Sequence, residues 1–291
     1  MLRAYAENSA DFDLTPTYDG WGEVVHPDIL HFPEGWNGYE YWMAISPYHS
    51  PKQEYPNILV SHDGRNWKFP NDKPVTVGAR DDGQSGDPCL IMVDNLLWIF
   101  WLWMGEGKKV SKIYCSFSSD GINWSKEIEV FSGEGGSCVS PSIVGCGNSY
   151  RMYSINRTQS PYKLEYREML FLSGFFPKEC TITEIPGKDC WHIYVTKGGQ
   201  WFQTHQYAFV VYCDKGTHGR NTELYFATSK DGIAWETDYR PVLRPKPGSW
   251  DSVQIYRSCA IREGDGYRLW YSAMGEHGWH LGHTQVTLKE E

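Results

Sequence analysis

Three short runs set a polar residue and a proline against an apolar, strand-like stretch. They are His26-Pro27-Asp28 before ILHF, Asp87-Pro88 before CLIMV, and Ser140-Pro141-Ser142 before IVG. Two later runs, Trp191-His192 before IYV and Tyr256-Arg257-Ser258 before CAI, have the same character. If the five meet, they make a pocket floor with two carboxylates, two imidazoles and a guanidinium. Ionisable groups are seldom buried without a partner or a purpose, so such a floor is suited to holding a polar ligand. Alternation along a strand puts His26 and Asp28 on one face. Loop acids recur at matching places, with Glu54 before Tyr55-Pro56, Glu106 in MGEG and Glu276 in MGEHG. They offer a general acid at the rim. Tyr48, Tyr162 and Trp279 offer flat faces for sugar rings. The run EHGWHLGH carries His277, His280 and His283. On a strand His280 and His283 face opposite ways, so no metal ligands are assigned there.

The elements that must position these residues announce themselves by repetition. The pattern Ser-x-Asp-Gly-x-x-Trp occurs as SHDGRNW at 61–67, SSDGINW at 118–124 and SKDGIAW at 229–235. The second gap is close to twice the first, so one copy is expected to be lost near residue 175. A repeat of roughly 56 residues divides the chain into about five units. Asp-Gly is a tight-turn dipeptide, and NILVS, KIYCSFS and ELYFATS before it are strand-like. The Trp is expected to open the next strand. Each unit reads as four antiparallel strands, too small to bury a core alone. Five of them predict an all-β, five-bladed β-propeller with four antiparallel strands per blade, spanning 1–291 as one domain. The N-terminal segment is expected to complete the last blade. In that geometry the inner-strand openings and the second-to-third loops share one face, and the Asp-Gly turns lie on the other. The sequence leaves open a structural cation in the central channel.

Composition fits an all-β chain. Aromatics are 15% of the residues, with 14 Trp and 19 Tyr, and 29 Gly and 16 Pro supply turns. A net charge of −9 provides no basic face for nucleic acid. No apolar run reaches membrane-spanning length. The first residues lack the apolar core of a secretory signal, which predicts a cytoplasmic or virion-associated chain with eight reduced cysteines.

Asp87-Pro88, the near-match His26-Pro27-Asp28 and the blades ending in SxDGxxW give the chain a family likeness. It resembles the five-bladed β-propeller glycoside hydrolases, the superfamily of family 43 arabinanases and family 32 fructosidases. Its closing blade is similar to uncharacterised bacterial and phage members. The resemblance implies a glycan partner and three carboxylates at the channel mouth. Carried over residue by residue, Asp87 matches the orienting Asp. His26 stands where the first-blade Asp is expected, with Asp28 two residues on. The third-blade Glu-Gly-Pro is replaced by Val139-Ser140-Pro141, so the usual acid is missing. Two functions follow. In the first, a glycoside hydrolase uses Asp28 as base or nucleophile, Asp87 to orient it and Glu54 as acid. His26, Ser140, Trp191, His192 and Arg257 then bind the sugar. In the second, a non-catalytic glycan-binding propeller keeps the pocket and has lost cleavage.

Overall fold

A computed structural model describes residues 2–49, 54–146, 149–169, 177–197 and 205–291. The chain starts with β1 (Leu2–Tyr5) and then lays down sheets in order. The first blade is β2 (Val24–Trp36), β3 (Tyr39–Pro47), β4 (Asn57–Ser61) and β5 (Val75–Thr76). The second is β6 (Gly83–Val93), β7 (Leu96–Gly105), β8 (Val110–Ser118) and β9 (Ile128–Glu134). The third is β10 (Val139–Cys146), β11 (Ser149–Asn156), β12 (Lys163–Met169) and β13 (Pro177–Glu179). The short β14 (Thr181–Ile182) lies parallel to the outer strand of the fourth blade. That blade is β15 (Lys188–Val195), β16 (Gln206–Asp214), β17 (Glu223–Ser229) and β18 (Ala234–Thr237). The fifth is β19 (Gln254–Glu263), β20 (Gly266–Gly275) and β21 (Gly278–Glu290).

The ring closes as expected, with β1 supplying the outer strand of the fifth blade, from Leu2 opposite Glu290 to Tyr5 opposite Thr287. The blades are antiparallel meanders because their hairpins are tight. Asn37-Gly38 and Asp94-Asn95 both take positive φ at each position, the geometry of a two-residue turn that matches strand twist. Large apolar side chains fill the seams between sheets. Trp42 and Trp101 lie in one seam, Cys89, Ile113 and Met152 in the next, and Tyr153, Ile193 and Tyr225 in a third.

The repeated Asp-Gly turn is a keystone between blades. Asp63 Oδ1 accepts from the Arg65 and Asn66 amides, both at 2.8 Å, and Ser61 Oγ accepts from Gly64 N at 3.0 Å. Asp120 and Asp231 repeat this pattern. The turn glycine, at φ +73 in Gly121, presses on the middle strand of the preceding blade. A Cβ on Gly121 would lie 2.0 Å from the Trp42 ring. Gly64 meets Trp270 and Gly232 meets Tyr153 in the same way. Antiparallel order puts these turns at the end opposite the starts of the inner strands. The motif Trp opens a strand only in the fourth blade, where Trp235 lies in β18. In the first blade Lys68 makes an isolated bridge to Val60 before β5 begins. The lost copy expected near residue 175 falls on 170–176, outside the described residues.

Candidate active site

Every inner strand breaks register near its start. The bulges lie between Val25 and Asp28, Gly86 and Cys89, Val139 and Ser142, Cys190 and His192, and Ile255 and Ser258. In the first three blades the first bulge residue is non-glycine at positive φ: His26 at 57°, Asp87 at 51° and Ser140 at 58°. Such a conformation costs about 1–3 kcal/mol and is held only where the surroundings over-determine it. The bulge re-aims the side chain. It also corrects the expectation that His26 and Asp28 share a face, because the two turn to different partners.

His26, Asp87 and His192 converge, with one ligand-type atom from each lying within 4.8 Å of the others. All three are buried, at 4%, 3% and 2% exposure. His26 Nε2 lies 2.9 Å from Asp87 Oδ1 without hydrogen-bond alignment, and its Nδ1 lies 3.3 Å from Ser46 Oγ. Asp87 Oδ2 accepts from Ser140 N at 2.9 Å. Among the described residues, both ring nitrogens of His192 lack a hydrogen-bond partner. Burial opposes the charge of Asp87, but His26, His192 and Arg257 outweigh it and hold the carboxyl well below its ordinary range. Burial pushes His192 well below its ordinary value against the pull of Asp87. A neutral imidazole with free nitrogens beside an ionised carboxylate and a second imidazole is a donor set suited to a zinc-class divalent cation.

Glu54 stands next to this group. It is 3% exposed, and Gln84 Nε2 donates to its Oε1. Burial first, and then the Asp87 charge, raise its carboxyl to about 8. Above the floor is an aromatic wall. Tyr48 and Trp279 rings are 5.6 Å apart, Trp279 and Tyr256 5.0 Å, and Tyr256 and His192 4.5 Å. Trp191 Nε1 donates to Tyr256 Oη at 3.3 Å. Arg157, from the loop after β11, lays its guanidinium 3.4 Å from the centre of the Trp191 ring and donates to the Trp191 carbonyl. Its Nε has no hydrogen-bond partner among the described residues, and burial lowers its pKa.

The structure therefore brings together Asp87, Glu54, His26, His192 and Trp191. Arg257 is fully buried beside Asp87 and donates to the Pro141 carbonyl at 2.8 Å, with Nε and Nη1 unpartnered among the described residues. Ser140 serves Asp87 through its amide, and its hydroxyl meets the Ile193 carbonyl at 3.4 Å. Asp28 is drawn elsewhere. Its Oδ1 accepts from Leu90 N at 3.3 Å and from Lys197 Nζ. Cys89 and Ser142, two residues after their own bulge residues, make the equivalent link to the next blade, at Ile143 N and Val195 N. Asp28 thus occupies an inter-blade stitching position. Glu276 is exposed, and the Glu106 side chain lies outside the described residues. His280 stacks on Phe12 at 3.9 Å, whereas His283 Nδ1 is 2.8 Å from Asp13 Oδ2. Sequence reasoning missed Arg157, Gln84 and Lys197. The Arg157 loop, NRTQSPYK, was identifiable as a mouth loop, but nothing marked the arginine within it.

No family model matches the chain. It is 26% identical to an A type blood N-acetyl-alpha-D-galactosamine deacetylase of Flavonifractor plautii, over 93% of this chain and 42% of that protein. The chain therefore spans less than half the length of that relative. The crystal structure of an N-acetylgalactosamine deacetylase from F. plautii, in complex with blood group B trisaccharide, superposes with a TM-score of 0.79 at 21% identity. The match covers 97% of this chain and 92% of that one. A GH93 alpha-L-arabinofuranosidase of Fusarium graminearum superposes with a TM-score of 0.63 at 12% identity, covering 97% and 98%. The fold is that of the five-bladed propeller glycoside hydrolases.

Proposed function

We propose that this chain is a carbohydrate-active hydrolase that removes an acetyl group from an N-acetylated sugar bound at the channel mouth. The observation that carries the reading is the buried His26–Asp87–His192 cluster with a proton-bearing Glu54 beside it. Likeness to a deacetylase along most of the chain supports it. Glycoside cleavage in the expected form needs Asp28 as base, and Asp28 is tied to Lys197 and Leu90.

His26, Asp87 and His192 are the residues that would hold a divalent cation. When bound, such an ion polarises a carbonyl and makes a bound water acidic. The chain's own groups do the rest. Hydrolysis adds water to the acetyl carbonyl carbon, breaks the C–N bond and leaves acetate and an amine. Glu54, raised to about 8, acts in its ionised form, which grows as pH approaches 8: it takes a proton from the attacking water and returns it to the departing nitrogen. Arg157 offers positive charge to the oxygen that becomes negative, with its Nε free to donate. Tyr48, Tyr256 and Trp279 give the sugar an apolar wall. Ser140 and Ser46 fix Asp87 and His26, so the floor need not reorganise.

A second reading, glycosidic cleavage, draws on the same neighbours, since an ionised Asp87 beside a protonated Glu54 is also a glycosidase pairing. The test is a panel of N-acetylated glycans assayed for acetate and for new reducing ends, with His192→Ala and chelator-treated protein alongside. Acetate that disappears in both controls supports deacetylation. Reducing ends without acetate favour glycoside cleavage. Saturable binding with neither product leaves a binding module.

A further inference from the structure

Beside the mouth, along the seam between the third and fourth blades, lies a cavity of about 500 Å³. That is within the roughly 300–1,000 Å³ of small-molecule sites. One wall is the loop and edge of β12, including Asn156, Gln159 and Tyr162. The other is the segment leading into β15 and the start of that strand, including Thr183 and Asp189. The cavity adjoins the mouth through named contacts. Tyr162 packs 6.0 Å from the Trp191 ring, whose face carries Arg157, and Cys190 in the cavity wall is the residue before Trp191.

The lining mixes hydroxyl, amide, carboxyl and lysine ammonium groups with apolar side chains such as Leu164, Ile182 and Ile185, and Tyr162 offers a ring face, a combination that suits a sugar: stacking on a ring and hydrogen bonds at the edges. One group in it is unfinished. Asp189 is 4% exposed, and its Oδ2 accepts from Gly216 N at 3.1 Å, but its Oδ1 has no hydrogen-bond partner among the described residues. A buried acceptor without a donor is costly, and a ligand hydroxyl would satisfy it.

We propose that this seam is a second carbohydrate subsite. It takes the further units of an oligosaccharide whose terminal residue sits on the His26–Asp87–His192 floor. The inference rests on the reading of the mouth as a glycan site and makes that site's ligand an oligosaccharide rather than a single sugar. The chain of contacts from floor to seam runs through His192, Tyr256, Trp191 and Tyr162.

The test measures affinity by calorimetry for N-acetylgalactosamine and for glycans of three or more units that bind on a glycan array. The native protein is compared with Asp189→Ala and with Gln159→Trp. The second variant plugs the seam from an exposed position, so it reports even if Asp189→Ala folds poorly. Longer glycans are expected to bind at least about tenfold more tightly than the monosaccharide, the weight of one or two hydrogen bonds. Each seam variant is expected to lose that gain and keep monosaccharide binding. Equal affinity for long and short glycans, or seam variants that bind long glycans as well as the native protein, would overturn the subsite and leave the mouth intact. If no glycan binds at all, the mouth reading falls with it.

Discussion

Glu54 and Asp87 are neighbouring buried carboxyls in opposite protonation states. Burial and the Asp87 charge lift Glu54 to about 8, while His26, His192 and Arg257 overcome burial to keep Asp87 ionised. The difference has a thermodynamic signature. Above the ordinary glutamate value the unfolded chain releases this proton, whereas the folded chain keeps it until about pH 8. The folded state binds more protons across that window, so Glu54 lowers stability as pH rises through it. Glu54→Gln removes the penalty and keeps an acceptor for Gln84. The variant is expected to be more stable than the native protein at pH 8, by on the order of 3–5 kcal/mol, and no more stable near pH 4. Denaturant unfolding at both values checks this. A difference that does not change with pH would show that Glu54 does not hold its proton.

His192 gives a second prediction. Its two unpartnered nitrogens are a liability in the bare fold and an asset once a cation is bound. A ligand at a hundred times its dissociation constant stabilises the folded state by about 2.7 kcal/mol. Divalent ions are expected to raise the melting temperature of the native protein and chelator to lower it. His192→Ala should respond to neither, while folding at least as well without metal. A native protein indifferent to every first-row divalent ion would remove the cation from the site.

The blades were legible because their signals are local. Ser61, Asp63 and Gly64 write a turn in four residues, and the strands before them alternate in the ordinary way. The mouth was partly legible, since His26, Asp87 and His192 are polar residues at the openings of apolar strands. Strand alternation failed at Asp28, because a bulge at His26-Pro27 shifts the phase and the sequence shows only the proline. The pairing of Asp28 with Lys197 joins residues on different blades, and no local pattern encodes it. Glu54 was visible as a loop acid, but its burial beside Asp87 depends on how the first and second blades pack. Gly86 matters there too, since a Cβ on it would lie 3.0 Å from Glu54 Oε2.

Asp28 and Lys197 form a buried ion pair that also holds the Leu90 carbonyl, which Lys197 Nζ reaches at 2.6 Å. Breaking such a pair from one side leaves a stranded charge and costs about 3–5 kcal/mol. Asp28→Asn is expected to pay that cost in unfolding experiments. The double variant Asp28→Asn with Lys197→Met should recover much of it and keep turnover. Recovered stability with lost turnover would return Asp28 to the catalytic role that the family resemblance implies.

Arg157 separates a binding role from a catalytic one. Its guanidinium lies over the Trp191 ring and is anchored by the Trp191 carbonyl, so only part of its donor set is used. Removing a donor aimed at a developing oxyanion typically costs about 10²–10³ in kcat. Arg157→Ala is expected to lose that much with a smaller change in KM. Arg157→Lys should restore little, because an ammonium neither stacks as a plane nor holds its donors in the fixed fork of a guanidinium. Steady-state kinetics of acetate release from one N-acetylated glycan decides it. A rise in KM at constant kcat would make Arg157 a binding residue for the sugar, and the negative charge on the acetyl carbonyl oxygen would have to be met by other groups at the mouth.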